Sequence, residues 1–132
     1  MSYKILVVDD SAMSRRSMKR ILESGGYAVI EAEDGISAIE TYHLERPDLV
    51  MLDMLMKGMY GLEVLSKLRE IDSNARVIIV TADIQNSTKA MAFEGGAAGF
   101  VTKPFAAEVV LGTIAGILIE GGQKNGTDRP RD

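Results

Sequence analysis

Ile5-Leu6-Val7-Val8-Asp9-Asp10-Ser11 is the stretch on which the fold turns. Four β-branched or long aliphatic residues in a row, with no polar alternation, suit a strand covered on both faces; a half-wet strand would place every second side chain in water. Two aspartates end the run, and Ser11 is suited to cap a helix, because its hydroxyl oxygen can accept from a free N–H of the first turn. The heptapeptide thus reads as a buried strand, a polar turn and a helix start. In a parallel sheet, ligands bind at that carboxyl edge.

Working outward, four more short apolar runs follow: Ala28 to Ile30, Leu49 to Leu52, Val77 to Val80, and Phe100 to Val101. The runs at Leu49 to Leu52 and Val77 to Val80 are again apolar almost throughout. Segments of helical periodicity alternate with them, at Ala12 to Ser24, Ile36 to Glu45, Gly61 to Ile71 and Ser87 to Glu94, and a last one follows Pro104 and runs to about Glu120. Gly25-Gly26 is suited to end the first helix, Asp34-Gly35 to form a turn, and Pro104 to occupy a first helical turn. Strict strand–helix alternation with short connections implies right-handed crossovers and an α/β fold, a doubly wound parallel sheet with helices on both faces. Residues 1–120 read as one domain, with no internal repeat. Residues 121–132 are polar and rich in helix breakers and are expected to form a disordered tail.

Composition narrows the chemistry. The 132 residues carry 15 Lys plus Arg against 19 Asp plus Glu, a formal charge of -4, which disfavours nucleic acid as a ligand. There is no cysteine, which excludes disulfides, thiolate catalysis and Cys-ligated metals, and the single histidine, His43, excludes a His-pair metal site. No apolar run reaches the roughly 18 residues that span a bilayer. The first residues lack a signal-peptide layout, so a cytoplasmic protein with no membrane association is expected.

The polar residues just past the strand ends are Asp9, Asp10, Asp53, Thr81, and Thr102-Lys103-Pro104. Any one of them alone would pass as a cap or loop residue. Three carboxylates at one sheet edge repel, by on the order of 4 kcal/mol per pair about 4 Å apart at an effective dielectric of about 20. Such a cluster makes sense around a cation. An oxygen-only donor set with room for water and phosphate favours magnesium, and calcium lacks its twelve-residue loop.

Val8-Asp9-Asp10-Ser11, Leu52-Asp53-Met54-Leu55-Met56, Val80-Thr81-Ala82 and Thr102-Lys103-Pro104-Phe105 resemble, in order and spacing, the four signature stretches of the response-regulator receiver domain of two-component signalling. The resemblance spans about residues 3 to 120. With no output domain following, the chain is most similar to stand-alone, chemotaxis-type single-domain regulators. The resemblance implies a flavodoxin-like strand order 2-1-3-4-5 with five helices, and Asp53 as phosphoacceptor. It implies that Asp10 coordinates Mg2+ directly, Asp9 directly or through water, and that Asp53 and the main-chain carbonyl of Leu55 complete the protein's ligands. Lys103 would pair with Asp53 and then with a phosphoryl oxygen, Thr81 would donate its hydroxyl to the phosphoryl group, and Phe100 would fill the space Thr81 vacates on switching. Implied partners are a sensor histidine kinase or phosphotransfer protein and a downstream protein target met through the last strand and its flanking helices. The chain would phosphorylate and dephosphorylate itself without being an enzyme in the usual sense.

The chain departs from the family pattern in three places. Where Met-Pro-Gly-Met-Asp-Gly is common, it has Met56-Lys57-Gly58-Met59-Tyr60-Gly61, so the loop regains backbone freedom and an N–H donor at Lys57 and is expected to be more mobile before metal or phosphate binds. Leu55 and Asp83 stand where side chains border the path of the attacking water. In the last helix, Val110, Leu111, Ile114, Ile117 and Leu118 form a stripe toward the sheet, while Val109, Gly112, Thr113, Gly116 and Ile119 leave the outer face uncharged, as an interface for a partner or a second copy would be.

Two other classes fit the sequence less well. A pseudo-receiver, the same fold used only for binding or dimerisation, predicts loss of a metal carboxylate, the acceptor or Lys103, and none is lost. An enzyme on a similar sheet needs either a glycine-rich fingerprint after the first strand or, for an aspartyl phosphatase, a second Asp at position 55; neither is present.

Overall fold

The computed structural model describes residues 3–83 and 85–124. The elements follow one another as β1 (Lys4–Val8), α1 (Ala12–Ser24), β2 (Ala28–Ala32), α2 (Gly35–Glu45), β3 (Leu49–Asp53), α3 (Gly61–Ile71), β4 (Val77–Thr81), α4 (Asn86–Glu94), β5 (Gly99–Thr102) and α5 (Ala107–Lys124). The five strands form one parallel sheet in the order β2-β1-β3-β4-β5, as expected.

The uninterrupted apolar runs are explained by two cores. Leu6, Val8, Val50, Leu52, Val77 and Ile79 face one way, against Ala38 and Tyr42 of α2, Val64, Leu65 and Leu68 of α3, and Ala92 of α4. Ile5, Val7, Leu49, Met51, Ile78 and Val80 face the other way, against Met18 and Leu22 of α1 and Val110, Ile114 and Leu118 of α5. Every residue of β3 and β4 is buried, because both strands are interior and both of their faces are covered by helices.

Local chemistry sets the helix ends. Ser11 Oγ accepts from Ser14 N–H at 3.2 Å and caps α1; Gly25 and the left-handed Gly26 close it. Two sequence expectations need correction. Asp34 is the N-cap of α2, accepting from Ser37 N–H at 2.8 Å, and Gly35 is already helical, so the pair starts a helix instead of forming a separate turn. Pro104, joined to Lys103 by a cis peptide bond, lies outside α5, which starts at Ala107. The first helical bond there runs from Val110 N–H to Ala106 C=O, three chain positions too late for Pro104 to sit in the first turn.

Helix α5 continues to Lys124, past the expected end at Glu120. The expected tail from residue 125 onward lies outside the described residues. Val110, Ile114 and Leu118 are buried, whereas Val109 and Ile119 are 55% and 59% exposed, which matches the two faces read from the sequence. Among the described residues, no helix is long and apolar enough to cross a membrane.

Candidate functional site

Parallel register brings the strand-end residues together. Val8 pairs with Leu52, Asp53 with Val80, and Thr81 with Thr102. Backbone bonds extend the alignment past the ladders: Asp9 N–H reaches Ala32 C=O at 3.2 Å, Met54 N–H reaches Val80 C=O at 3.0 Å, and Lys103 N–H reaches Thr81 C=O at 2.8 Å. Residues up to 94 positions apart in sequence thereby meet at one sheet edge.

There, Asp9, Asp10 and Asp53 each offer a carboxylate oxygen within 4.8 Å of the others. Asp9 and Asp53 are buried, whereas Asp10 faces solvent. Lys103 Nζ lies 3.3 Å from Asp9 Oδ2 and 3.5 Å from Asp53 Oδ1, so one ammonium serves two buried carboxylates. The Asp53 carboxyl is pushed up to about 6 by burial and by the Asp9 charge, against the opposing pull of Lys103 and the Leu55 N–H. Three acids against one cation leave the edge short of positive charge. The donors are all oxygen and an open side faces solvent, so the set fits a hard divalent ion.

Asp9 is fixed from two further directions: its Oδ1 accepts from Ser11 N–H at 2.9 Å, and its carbonyl accepts from the Arg15 guanidinium at 2.7 Å. Arg15 is held in turn by Glu31, 3.2 Å away. The sequence reading missed Arg15, since an arginine on an amphipathic helix looks like any solvated residue.

The β3–α3 loop is pinned at three points. Gly61 N–H bonds Met54 C=O at 2.8 Å, Tyr60 N–H bonds Glu63 Oε1 at 3.2 Å, and Lys57 N–H bonds Asp10 Oδ2 at 3.1 Å. Glu63 thus satisfies the N–H of the N-cap residue, whereas Tyr60 makes no side-chain cap bond to the first turn of α3, the bond an acidic residue at position 60 could have made. Leu55 presents its side chain to solvent, 61% exposed.

Thr81 is buried at the end of β4, and its Oγ1 accepts from Asp83 N–H at 3.1 Å. The Asp83 carboxylate turns toward α4, accepting from Gln85 N–H at 2.9 Å and from the Thr88 hydroxyl at 2.7 Å, bonds that lower its pKa, the Thr88 bond most. It thereby ties the end of β4 to the first turn of α4, whose N-cap residue, Gln85, makes no side-chain cap bond. Phe100 is half-buried on β5 against the core formed with α2, α3 and α4.

Residues 5–115 match the sequence profile of the response regulator receiver domain. Chemotaxis protein CheY of Bacillus subtilis (strain 168) is 42% identical over 115 residues, 86% of this chain and 96% of that protein. Chemotaxis protein CheY of Halobacterium salinarum is 37% identical over 118 residues, 89% of this chain and 98% of that protein. Among solved structures, the CheX–CheY–BeF3–Mg2+ complex from Borrelia burgdorferi contains a chain that superposes with a TM-score of 0.84 at 33% identity, covering 88% of this chain and 89% of that one.

Proposed function

From the premise that the chain belongs to the response regulator receiver domain family, we propose that it accepts a phosphoryl group on Asp53 in the presence of Mg2+ and passes the signal to a protein partner. The observation that carries this reading is the shared ammonium: Lys103 stands between Asp9 and Asp53 at 3.3 and 3.5 Å, beside a third carboxylate. That arrangement is costly for a structural role and suited to phosphoryl transfer, where positioning and charge neutralisation do most of the work.

Asp9, Asp10, Asp53 and the Leu55 carbonyl would hold the ion, which when bound neutralises charge on the phosphoryl oxygens. A carboxylate oxygen of Asp53 attacks the phosphorus of a phosphohistidine or a small acyl phosphate. The new O–P bond forms as the bond to the imidazole nitrogen or acyl oxygen breaks, and the leaving group takes the electron pair. Lys103 then pairs with a phosphoryl oxygen. Thr81, whose oxygen accepts from Asp83 N–H, keeps its hydroxyl proton for the phosphoryl group. Its inward movement draws on the Asp83–Thr88 link to α4 and opens room for Phe100. Hydrolysis of the acyl phosphate by water returns the resting form. A sensor kinase or phosphotransfer protein is the donor, and the output surface is β5 with its flanking helices, in a cytoplasmic setting.

The test is labelling by acetyl phosphate with and without Mg2+. Wild type should incorporate one phosphoryl group that is lost with chelator and absent from Asp53→Asn. Retained labelling at position 53 in the Asn variant would sink the acceptor assignment, and labelling indifferent to chelator would sink the magnesium one. The alternative, a binding module that is never phosphorylated, predicts no labelling of wild type.

A further inference from the structure

Lys57 occupies the middle of the β3–α3 loop, and its main-chain N–H donates to Asp10 Oδ2 at 3.1 Å. Among the described residues, no other hydrogen bond joins residues 54–60 to residues 9–11. Asp10 is the exposed member of the carboxylate cluster. Repulsion from Asp9 and Asp53 favours its swinging into water, where its charge is better solvated. A hydrogen bond from a backbone amide to the ionised oxygen opposes that swing, and such charge-assisted bonds are the stronger kind.

We propose that the Lys57 amide is a positioning group for the cation site. It keeps the Asp10 carboxylate gathered with Asp9 and Asp53 before an ion arrives, and it anchors the loop carrying the Leu55 carbonyl to the β1–α1 turn. The work is done by the N–H and not by the lysine ammonium, so any residue except proline preserves it. A preorganised ligand binds more tightly because less ordering remains to be done on binding. This inference rests on the magnesium reading above.

The experiment is isothermal titration of MgCl2 into wild type, Lys57→Ala and Lys57→Pro. Lys57→Ala keeps the donor and should bind within about twofold of wild type, whereas Lys57→Pro should bind about tenfold more weakly. Equal affinity for all three chains overturns the proposal, and so does an alanine variant as weak as the proline one, which would put the effect in the side chain. The second arm is amide exchange in metal-free protein and does not need the proline variant to fold. The Lys57 amide should exchange at least about tenfold more slowly in wild type than in Asp10→Ala, and equal exchange overturns the tether itself. If wild type gives no magnesium heat, the cation reading fails; if wild type binds normally and Lys57→Pro does too, only the role of the amide fails.

Discussion

The ammonium of Lys103 stands 3.5 Å from Asp53 Oδ1, a contact that joins the loop after β5 to the end of β3 across the width of β4. The same ammonium lies 3.3 Å from Asp9, so its removal leaves two buried carboxylates uncompensated. Lys103→Met should lower metal-free stability by about 1–3 kcal/mol, and added Mg2+ should restore more stability to the variant than to wild type. Urea denaturation with and without Mg2+ measures both quantities. Unchanged metal-free stability would mean that the ammonium is not compensating the pair.

The converse holds for Asp53. Burial and the Asp9 charge push the Asp53 carboxyl up to about 6, so at neutral pH the fold carries that charge at a cost. Asp53→Asn should therefore raise metal-free stability by about 1–2 kcal/mol while abolishing phosphoryl labelling. A variant less stable than wild type would contradict the electrostatic account.

Gly61 cannot carry a side chain. A Cβ there would lie 2.6 Å from Asp53 C=O and 2.8 Å from Met54 Cα, both rigid backbone atoms at the end of β3. Gly61→Ala should cost about 1–3 kcal/mol, the range of overpacked sites where the backbone must shift. Labelling of Asp53 should slow along with it. Thermal unfolding and labelling rate would both have to stay at wild-type values for this reading to fail.

Tyr42 donates its hydroxyl to Asp72 Oδ2 at 2.8 Å, linking α2 to the end of α3. Burial first, then the bond to Asp72, hold the phenol well above its usual 10. A raised folded pKa gives stability that is complete below pH 10 and is lost as pH climbs toward the folded value. Wild type should lose stability steadily above that pH, and Tyr42→Phe should lose less, after starting about 0.5–1.5 kcal/mol lower at neutral pH. Parallel alkaline profiles for the two chains would show that the phenol is not responsible.

Gly112 and Gly116 lie on the exposed face of α5, and an added Cβ would meet nothing within 4 Å at either position. Alanine at both should stabilise the isolated chain, by about 0.5–1 kcal/mol per site, because helix propensity is then the only term that changes. Chemical denaturation decides it, and no gain would mean that the glycines are constrained by something other than the helix.

Much of the site was legible because its parts are strand ends. Asp9, Asp53 and Thr81 each follow an apolar run directly, Asp10 and Lys103 come one residue later, and a parallel sheet sends all such ends to one edge. Helices α1 and α3 were readable to the residue, since Ser11 and Gly25-Gly26 bound α1, and Gly61 opens a run of clear helical period. Pro104 misled, because a proline before an apolar helix looks the same whether it occupies the first turn or a connection ending three residues ahead of it. Asp34-Gly35 misled in the same way, since an aspartate suits a turn and an N-cap equally.

The amino-acid sequence by itself determined the doubly wound parallel sheet, the edge at which the carboxylates gather, and the identity of the residues gathered there. These follow from local patterns, the period of apolar residues and what stands immediately after them. Only the tertiary structure decided which groups touch: Lys103 divided between Asp9 and Asp53, Arg15 on the Asp9 carbonyl, Asp83 turned to Thr88, and the Lys57 amide on Asp10. The physical reason is range. Periodicity and capping act over a few residues of chain, whereas a hydrogen bond or ion pair is set by distances of about 3 Å between loops, and strand register and helix packing fix those distances from far along the sequence.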